Sequence, residues 1–289
     1  MPILLFLILL LGCRDGRPPI DEPPPKPKHR AFFVAPNGNN VNPCSEEQPC
    51  QDILYVSNIM VGSDTLYVRE GEYIENEIWL RDAIINHHTA PDSYLVIAAY
   101  KGETPIFSNG NRPLIIEMPY VEIRGLTFQN GKSINAVKGC DGAKIINNKF
   151  LGKGYTWAAI NTEGSDILVQ GNEIALDGNA VGTQGHGIYI AQGENIRVAE
   201  NRVSGMSGYG IHVFDQKRSG DIDQRVIKNV IITGNVCFDS KERAGIIVAA
   251  QAPDAFIENV EIYKNEVRDC PGNGITVIDQ VSGVSIYNN

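Results

Sequence analysis

Gly185-His186-Gly187-Ile188-Tyr189-Ile190, followed by Asn195-Ile196-Arg197-Val198-Ala199-Glu200-Asn201-Arg202-Val203 and then Gly210-Ile211-His212-Val213-Phe214, is the stretch from which the chain can be read outward. A glycine opens a short alternating strand, a second strand runs into an asparagine, a glycine-rich turn follows, and the first strand type returns. Such a cycle is one coil of a solenoid, and its pattern recurs on both sides.

The asparagine strands make the period visible: Lys144-Ile145-Ile146-Asn147-Asn148, Leu168-Val169-Gln170-Gly171-Asn172, Arg197 to Asn201, Ile231-Ile232-Thr233-Gly234-Asn235, Glu261-Ile262-Tyr263-Lys264-Asn265 and Ser285-Ile286-Tyr287-Asn288-Asn289. Subtracting the numbers of successive aligned asparagines gives spacings of 24, 29, 34, 30 and 24. This is the range of stacked supersecondary repeats whose insertions are confined to loops.

A second series follows the asparagine strands: Gly187-Ile188-Tyr189-Ile190, Gly210-Ile211-His212-Val213, Gly245-Ile246-Ile247-Val248 and Gly274-Ile275-Thr276-Val277. Alternation of period two sends Ile188, Ile190, Ile211, Val213, Ile246, Val248, Ile275 and Val277 to one face. These β-branched side chains suit a parallel-sheet core. Tyr189 and His212 then point outward on adjacent coils, strands about 4.8 Å apart. Phe214 shares their face, Trp157 and Ala159 are placed on the preceding coil, and Ile247 and Thr276 on the following ones.

On these repeats the chain resembles the right-handed parallel β-helix superfamily with the pectate-lyase-like fold, over residues 31–289. The resemblance implies an all-β fold, a single right-handed parallel β-helix, with aligned asparagines forming a hydrogen-bonded ladder inside the coil. A buried backbone at a sharp bend needs such partners. The block from Ala31-Phe32-Phe33-Val34 to Gly62-Ser63-Asp64-Thr65-Leu66-Tyr67-Val68 resembles the opening of secreted β-helix proteins, and implies a short N-terminal capping helix within Asp52 to Met60. A helix there covers core and strand edges that would otherwise be open.

Ahead of this domain, Ile3 to Leu11 is an apolar run too short to span a bilayer and placed where a signal peptide has its hydrophobic region. Its end, Leu10-Leu11-Gly12-Cys13, resembles a bacterial lipobox, which implies that residues 1–12 are a lipoprotein signal peptide and Cys13 the lipidated first residue. Residues 13–30 are rich in proline and charge and form an extended stalk. The expected location is the bacterial cell envelope, with the only membrane contact through the lipid anchor. In an exported chain Cys44 and Cys50, close in sequence, are expected to form a disulfide. No His or second Cys pair lies at ligand spacing for a metal site. Of the six cysteines, Cys237 falls at an inward position and reads as a small core residue.

The 289 residues carry a formal charge of −9, without a basic stripe or an aromatic stacking platform, which argues against nucleic acid as a partner. The expected state is a monomer. Because Asn289 falls at a ladder position in mid-coil, the sequence is expected to continue beyond it.

Two inserted loops, Leu176 to His186 and Asp215 to Arg225, flank the Tyr189 and His212 strands, and loops on a rigid scaffold are where binding and catalytic groups gather. The candidate substrate-binding residues are Trp157, His186, Phe214, Asp215 and Arg243; the candidate catalytic residues are His212, Tyr189, Lys217 and Arg218. Imidazole, phenol, cations and aromatic faces suit an acidic polysaccharide. β-Elimination of a uronate needs a base for the C5 proton, for which His212 stands, and a donor for the leaving oxygen, for which Tyr189 stands. It also needs a cation for the carboxylate: Lys217, Arg218 or a Ca²⁺ ion. The sequence lacks the clustered carboxylates of calcium-dependent lyases of this fold, the Asp-Pro-His of alginate epimerases and the paired aspartates of pectin hydrolases. A polysaccharide lyase or epimerase therefore stands beside a non-catalytic glycan-binding or adhesive surface lipoprotein, and beside a structural envelope component.

Overall fold

The computed structural model describes residues 29–74, 77–81, 87–108, 114–153, 157–177, 184–215, 226–250, 256–278 and 281–289. Its strands form three parallel sheets of ten, eight and eight strands, and each sheet takes one strand from successive coils. The chain is a parallel β-helix. From Lys144 onward each coil runs through a strand of the first sheet, turns sharply at the ladder asparagine, crosses a short strand of the second sheet and then a strand of the third; in the coil before, Leu126 stands at the ladder position and donates its N–H to Asn148 Oδ1.

That sharp turn has a recurring local cause. The residue before each ladder asparagine is in the left-handed region: Asn147 (φ 54°), Gly171 (66°), Glu200 (58°), Gly234 (67°), Lys264 (56°) and Asn288 (55°). A single residue in this conformation turns the chain out of one sheet, and it leaves amide and carbonyl groups facing the interior. The asparagines take them up. Asn172 donates its backbone N–H to Asn201 Oδ1 at 2.9 Å, and its Nδ2 donates to the same oxygen at 2.9 Å and to the Ile145 carbonyl at 2.9 Å. The same pattern links Asn148 to Asn172, Asn201 to Asn235, Asn235 to Asn265 and Asn265 to Asn289.

Apolar stacking fills the rest of the coil. In the second sheet Tyr73, Phe107, Phe128 and Phe150 share one register and stack at centroid distances of 5.2, 5.3 and 4.9 Å. Ile174, Val203, Cys237 and Val267 continue the column. Cys237 is fully buried there, and burial drives its thiol pKa upward, as befits a small apolar core residue. In the third sheet Ile188, Ile190, Ile211, Val213, Ile246 and Val248 are fully buried. Ile275 is partly buried and Val277 is 37% exposed, both in the outermost strand of that sheet. Ala159 departs from the sequence expectation: it lies in the coil core, and Ala158 and Asn161 take the outward positions of that strand.

At the N-terminal end the helix Ile53–Ser57 packs Ile53 and Val56 onto the first coil, its N-cap Asp52 accepting from the N–H groups of Leu54 and Tyr55 at 2.7 and 3.1 Å. A disulfide joins Cys44 to Cys50 beside it. Buried Asp64 accepts from Arg30 and from the Val61 N–H, closing the same end.

Replacing Asn201 with Ala strands the Asn172 N–H and the Val169 carbonyl inside the coil, and should cost about 3–5 kcal/mol in chemical denaturation. Lys264→Gly, which removes left-handed strain at an exposed position, should gain about 1 kcal/mol in the same measurement.

Candidate functional site

The candidate site lies on the outer face of the third sheet, on the strands Ala158–Thr162, His186–Ile190, Ile211–Asp215 and Ile246–Ala250. The register Asn161↔Tyr189↔His212↔Ile247↔Thr276 forms one outward column. His186 joins this face because the strand bends at Gly187, whose own Cβ direction faces buried Val203, which breaks the alternation that would otherwise turn His186 inward with Ile188. A Cβ on Gly187 would lie 2.3 Å from Val203 Cγ1 and 2.5 Å from the Gly210 carbonyl, so only glycine fits the bend. On the next coil Tyr209, preceding Gly210, takes the place opposite His186.

These side chains enclose a pocket of ≈ 180 Å³ lined by Trp157, Gln184, His186, Tyr189, Tyr209, His212, Phe214 and Arg243. They point away from the coil core yet are largely buried by one another: Tyr189 is 2% exposed, and His186 and His212 are each 7% exposed. The His212 ring is the hub, with its centroid 4.6 Å from His186, 4.7 Å from Tyr209, 4.9 Å from Tyr189 and 4.8 Å from Phe214. Trp157 leans on Tyr189 at 5.4 Å, and the Arg243 guanidinium stands 5.8 Å from the Tyr209 ring centroid.

Hydrogen bonds tie the rings together. The Tyr209 N–H donates to His186 Nδ1 at 3.0 Å, His186 Nε2 lies 3.4 Å from His212 Nδ1, and the Tyr189 hydroxyl donates to the Phe214 carbonyl at 3.5 Å. Burial, with a lesser push from Arg243, lowers the His186 pKa to about 4. Burial, then His186 and Arg243, hold His212 well below the ordinary histidine value. At neutral pH both imidazoles are uncharged, and Arg243 carries the only formal charge among the described residues lining the pocket.

Six residues singled out from the sequence converge here: Trp157, His186, Tyr189, His212, Phe214 and Arg243. Asp215 does not join them. The strand alternation that turns Phe214 outward turns Asp215 inward, where it pairs in register with core residue Ala250 and is 1% exposed. Lys217 and Arg218 lie outside the described residues, as does Cys13. Tyr209 and Gln184 were not anticipated. Tyr209 had a readable signal, since it precedes a strand-opening glycine as His186 does.

Two imidazoles, phenols, an indole, one amide and one guanidinium do not fit Ca²⁺, which takes six to eight oxygen ligands. Among the described residues there is no group of three or more His, Cys, Asp or Glu side chains that could hold a metal ion.

The lowered His186 pKa makes the fold acid-labile. In the unfolded chain its imidazole titrates near 6.5, whereas in the folded chain it stays neutral down to about pH 4. The unfolded state binds the extra proton between these values, so stability is full above pH 6.5 and falls as pH drops toward 4, by about 3 kcal/mol for this one group. Urea midpoints measured from pH 7.5 to 4.5 should fall less steeply in His186→Gln than in the wild type.

No curated protein sequence matches the chain. Among solved structures, a rhamnogalacturonan lyase superposes with a TM-score of 0.52 at 11% identity, over 89% of this chain and 87% of the lyase. A GH136 lacto-N-biosidase from Eubacterium ramulus superposes with a TM-score of 0.51 at 13% identity, over 87% of this chain and 55% of that protein. At these identities the likeness is one of fold. The family model of the right-handed beta helix region matches residues 109–289, more than half of the sequence. Repeat, ladder, sheet topology and family match coincide, and the chain belongs to the right-handed β-helix family.

Proposed function

We propose that this protein acts on carbohydrate, and that its substrate is a polymer containing uronic acid. The observation that carries the reading is the chemistry of the pocket: one guanidinium, two neutral imidazoles and a wall of aromatic rings, with no carboxylate among its described lining residues. Aromatic faces stack on the apolar side of sugar rings, and a single cation in a partly dry pocket selects a single anion. Glycoside hydrolysis by paired carboxylates finds no pair among the described lining residues. The names of the two fold neighbours, a rhamnogalacturonan lyase and a lacto-N-biosidase, agree with a carbohydrate substrate.

The reaction best suited to these groups is β-elimination. A base takes the proton from C5, the C4–O4 bond breaks, a C4=C5 double bond forms, and the leaving oxygen receives a proton. Return of the proton to the opposite face of C5 instead gives epimerisation. Arg243 neutralises the carboxylate as charge develops, the part the sequence had given to Lys217 or Arg218. Proton transfer falls to the phenols of Tyr189 and Tyr209, whose rings pack against His212. A lipid anchor at Cys13 and the stalk through residue 30 would hold the domain at the bacterial envelope, where such polymers are met.

A second reading is glycan binding without turnover. It is favoured by the Tyr189 hydroxyl, which already donates to the Phe214 carbonyl. Incubation with a panel of uronic-acid polysaccharides in chelator, followed by the ultraviolet absorbance of the unsaturated product, separates the two. A lyase gives a rise in absorbance that falls about 10²–10³-fold in Arg243→Met. No rise, with retention of the protein on one immobilised polymer, identifies a binding protein. Neither a rise nor retention would sink the carbohydrate reading.

A further inference from the structure

We propose that the Tyr209 amide locks His186, and through it His212, in a single tautomer, so that His212 offers Nε2–H to the pocket as a hydrogen-bond donor for a ligand carboxylate. The ligand half of this assignment rests on the uronate reading above; the tautomer half stands on hydrogen bonding alone. His212 is then a carboxylate-recognition residue, and His186 is its positioning residue.

The argument follows the donors. A backbone N–H can only donate, so His186 Nδ1, 3.0 Å from the Tyr209 nitrogen, must carry a lone pair. A neutral imidazole has one hydrogen, which therefore sits on His186 Nε2. That nitrogen lies 3.4 Å from His212 Nδ1, which must accept it. The single hydrogen of neutral His212 is then on Nε2, the nitrogen left for a ligand. Protonating His186 would set a new N–H against the Tyr209 N–H, so the relay opposes the cation as burial does.

This reverses the role that the sequence suggests for His212. A ring nitrogen that already bears hydrogen cannot take the C5 proton, so His212 is not the resting-state base, and that part passes to Tyr189 or Tyr209, which takes the C5 proton as the phenolate and hands it to the leaving oxygen. A neutral imidazole N–H is a weak acid but a well-placed donor that polarises a carbonyl or carboxylate oxygen at no cost in proton transfer. Together with Arg243 it would bind the two oxygens of one carboxylate with a cation and a neutral donor. The relay depends on neighbouring coils. The His186 and Tyr209 positions face each other because Gly187 and Gly210 occupy equivalent places, Ile188 pairing with Ile211.

The molecule contains its own reference. Buried His87 places Nδ1 2.7 Å from the Met60 carbonyl, which only accepts, so His87 must carry hydrogen on Nδ1, the nitrogen that bears a lone pair in His186 and His212.

The test is a long-range ¹H–¹⁵N correlation of histidine rings in the ¹⁵N-labelled full-length protein at pH 7.5, assigned with His186→Gln and His212→Gln. The proposal requires protonated Nε2 and lone-pair Nδ1 in both His186 and His212, with a protonated Nδ1 in His87 as the internal contrast. Protonated Nδ1 in His212, or tautomers averaged by exchange, overturns it. In His186→Phe the His212 ring loses its partner and should show averaged tautomers; if that variant fails to fold, the wild-type spectrum decides alone. Trisaccharides of galacturonate, glucuronate, mannuronate and guluronate are then added, with their methyl esters as neutral controls. At least one acid should shift His212 Nε2 while its ester does not. A locked relay that responds to no acid overturns the carboxylate assignment and the uronate reading together, while a response to acid with averaged tautomers overturns the lock and keeps the uronate reading.

Discussion

A backbone that turns a corner inside a solenoid leaves N–H and C=O groups where water cannot reach them, and the asparagine ladder is the answer on which every later coil depends. One carboxamide does several jobs at once: its oxygen accepts both the backbone N–H and the side-chain N–H of the asparagine one coil earlier, and its nitrogen donates to a strand carbonyl. Neither Ala nor Asp could do this, the first lacking the polar groups and the second the donor. Glycine at two of the preceding positions and asparagine at two more ease the left-handed turn, whereas Glu200 and Lys264 adopt it against their steric preference. A residue will tolerate that strain where the ladder bonds beyond it are worth more.

The ladder matters to the site because it holds coils in register. The ring cluster around His212 draws on two neighbouring strands of the third sheet, with Trp157 reaching it from the coil before and Arg243 from the coil after, so a slip of one residue in either strand would turn its outward side chains into the core. Within that frame, two features make the pocket chemically distinct. Its rings bury one another, which holds both imidazoles neutral, and it keeps Arg243 as the single charge among its described walls. With a formal charge of −9, the whole molecule does not steer an acidic polymer from a distance. On the proposed uronate reading, recognition of the anion would come from short-range contacts in this pocket.

Much of this was legible in the residues themselves. Six asparagines and four glycine-opened strands fixed the coil boundaries, and alternation put Tyr189, His212 and Phe214 on one face. Where alternation misled, the cause was local. Alternation alone places Ala159 outward, but the bend ahead of Ile160 breaks the two-residue period, and the alternation that turns Phe214 outward turns its neighbour Asp215 inward, away from the site. The aromatic column from Tyr73 to Phe150 went unread, since its members lie in short strands whose common register appears only when coils are stacked.

By itself, the sequence determined that this chain coils, where its asparagine-marked coils bend and which face most side chains of the glycine-opened strands take, because those are properties of short-range pattern: a two-residue alternation, a glycine or left-handed residue, an asparagine after it. Tertiary structure alone decided that the outward side chains of adjacent coils would close over one another. The burial of His186 and His212, the arrival of Tyr209 and Arg243 beside them and the direction of the hydrogen bonds between the rings all depend on residues from different coils meeting across the sheet. No single repeat contains that information, since a side chain's solvation and protonation are set by what the neighbouring coils place against it.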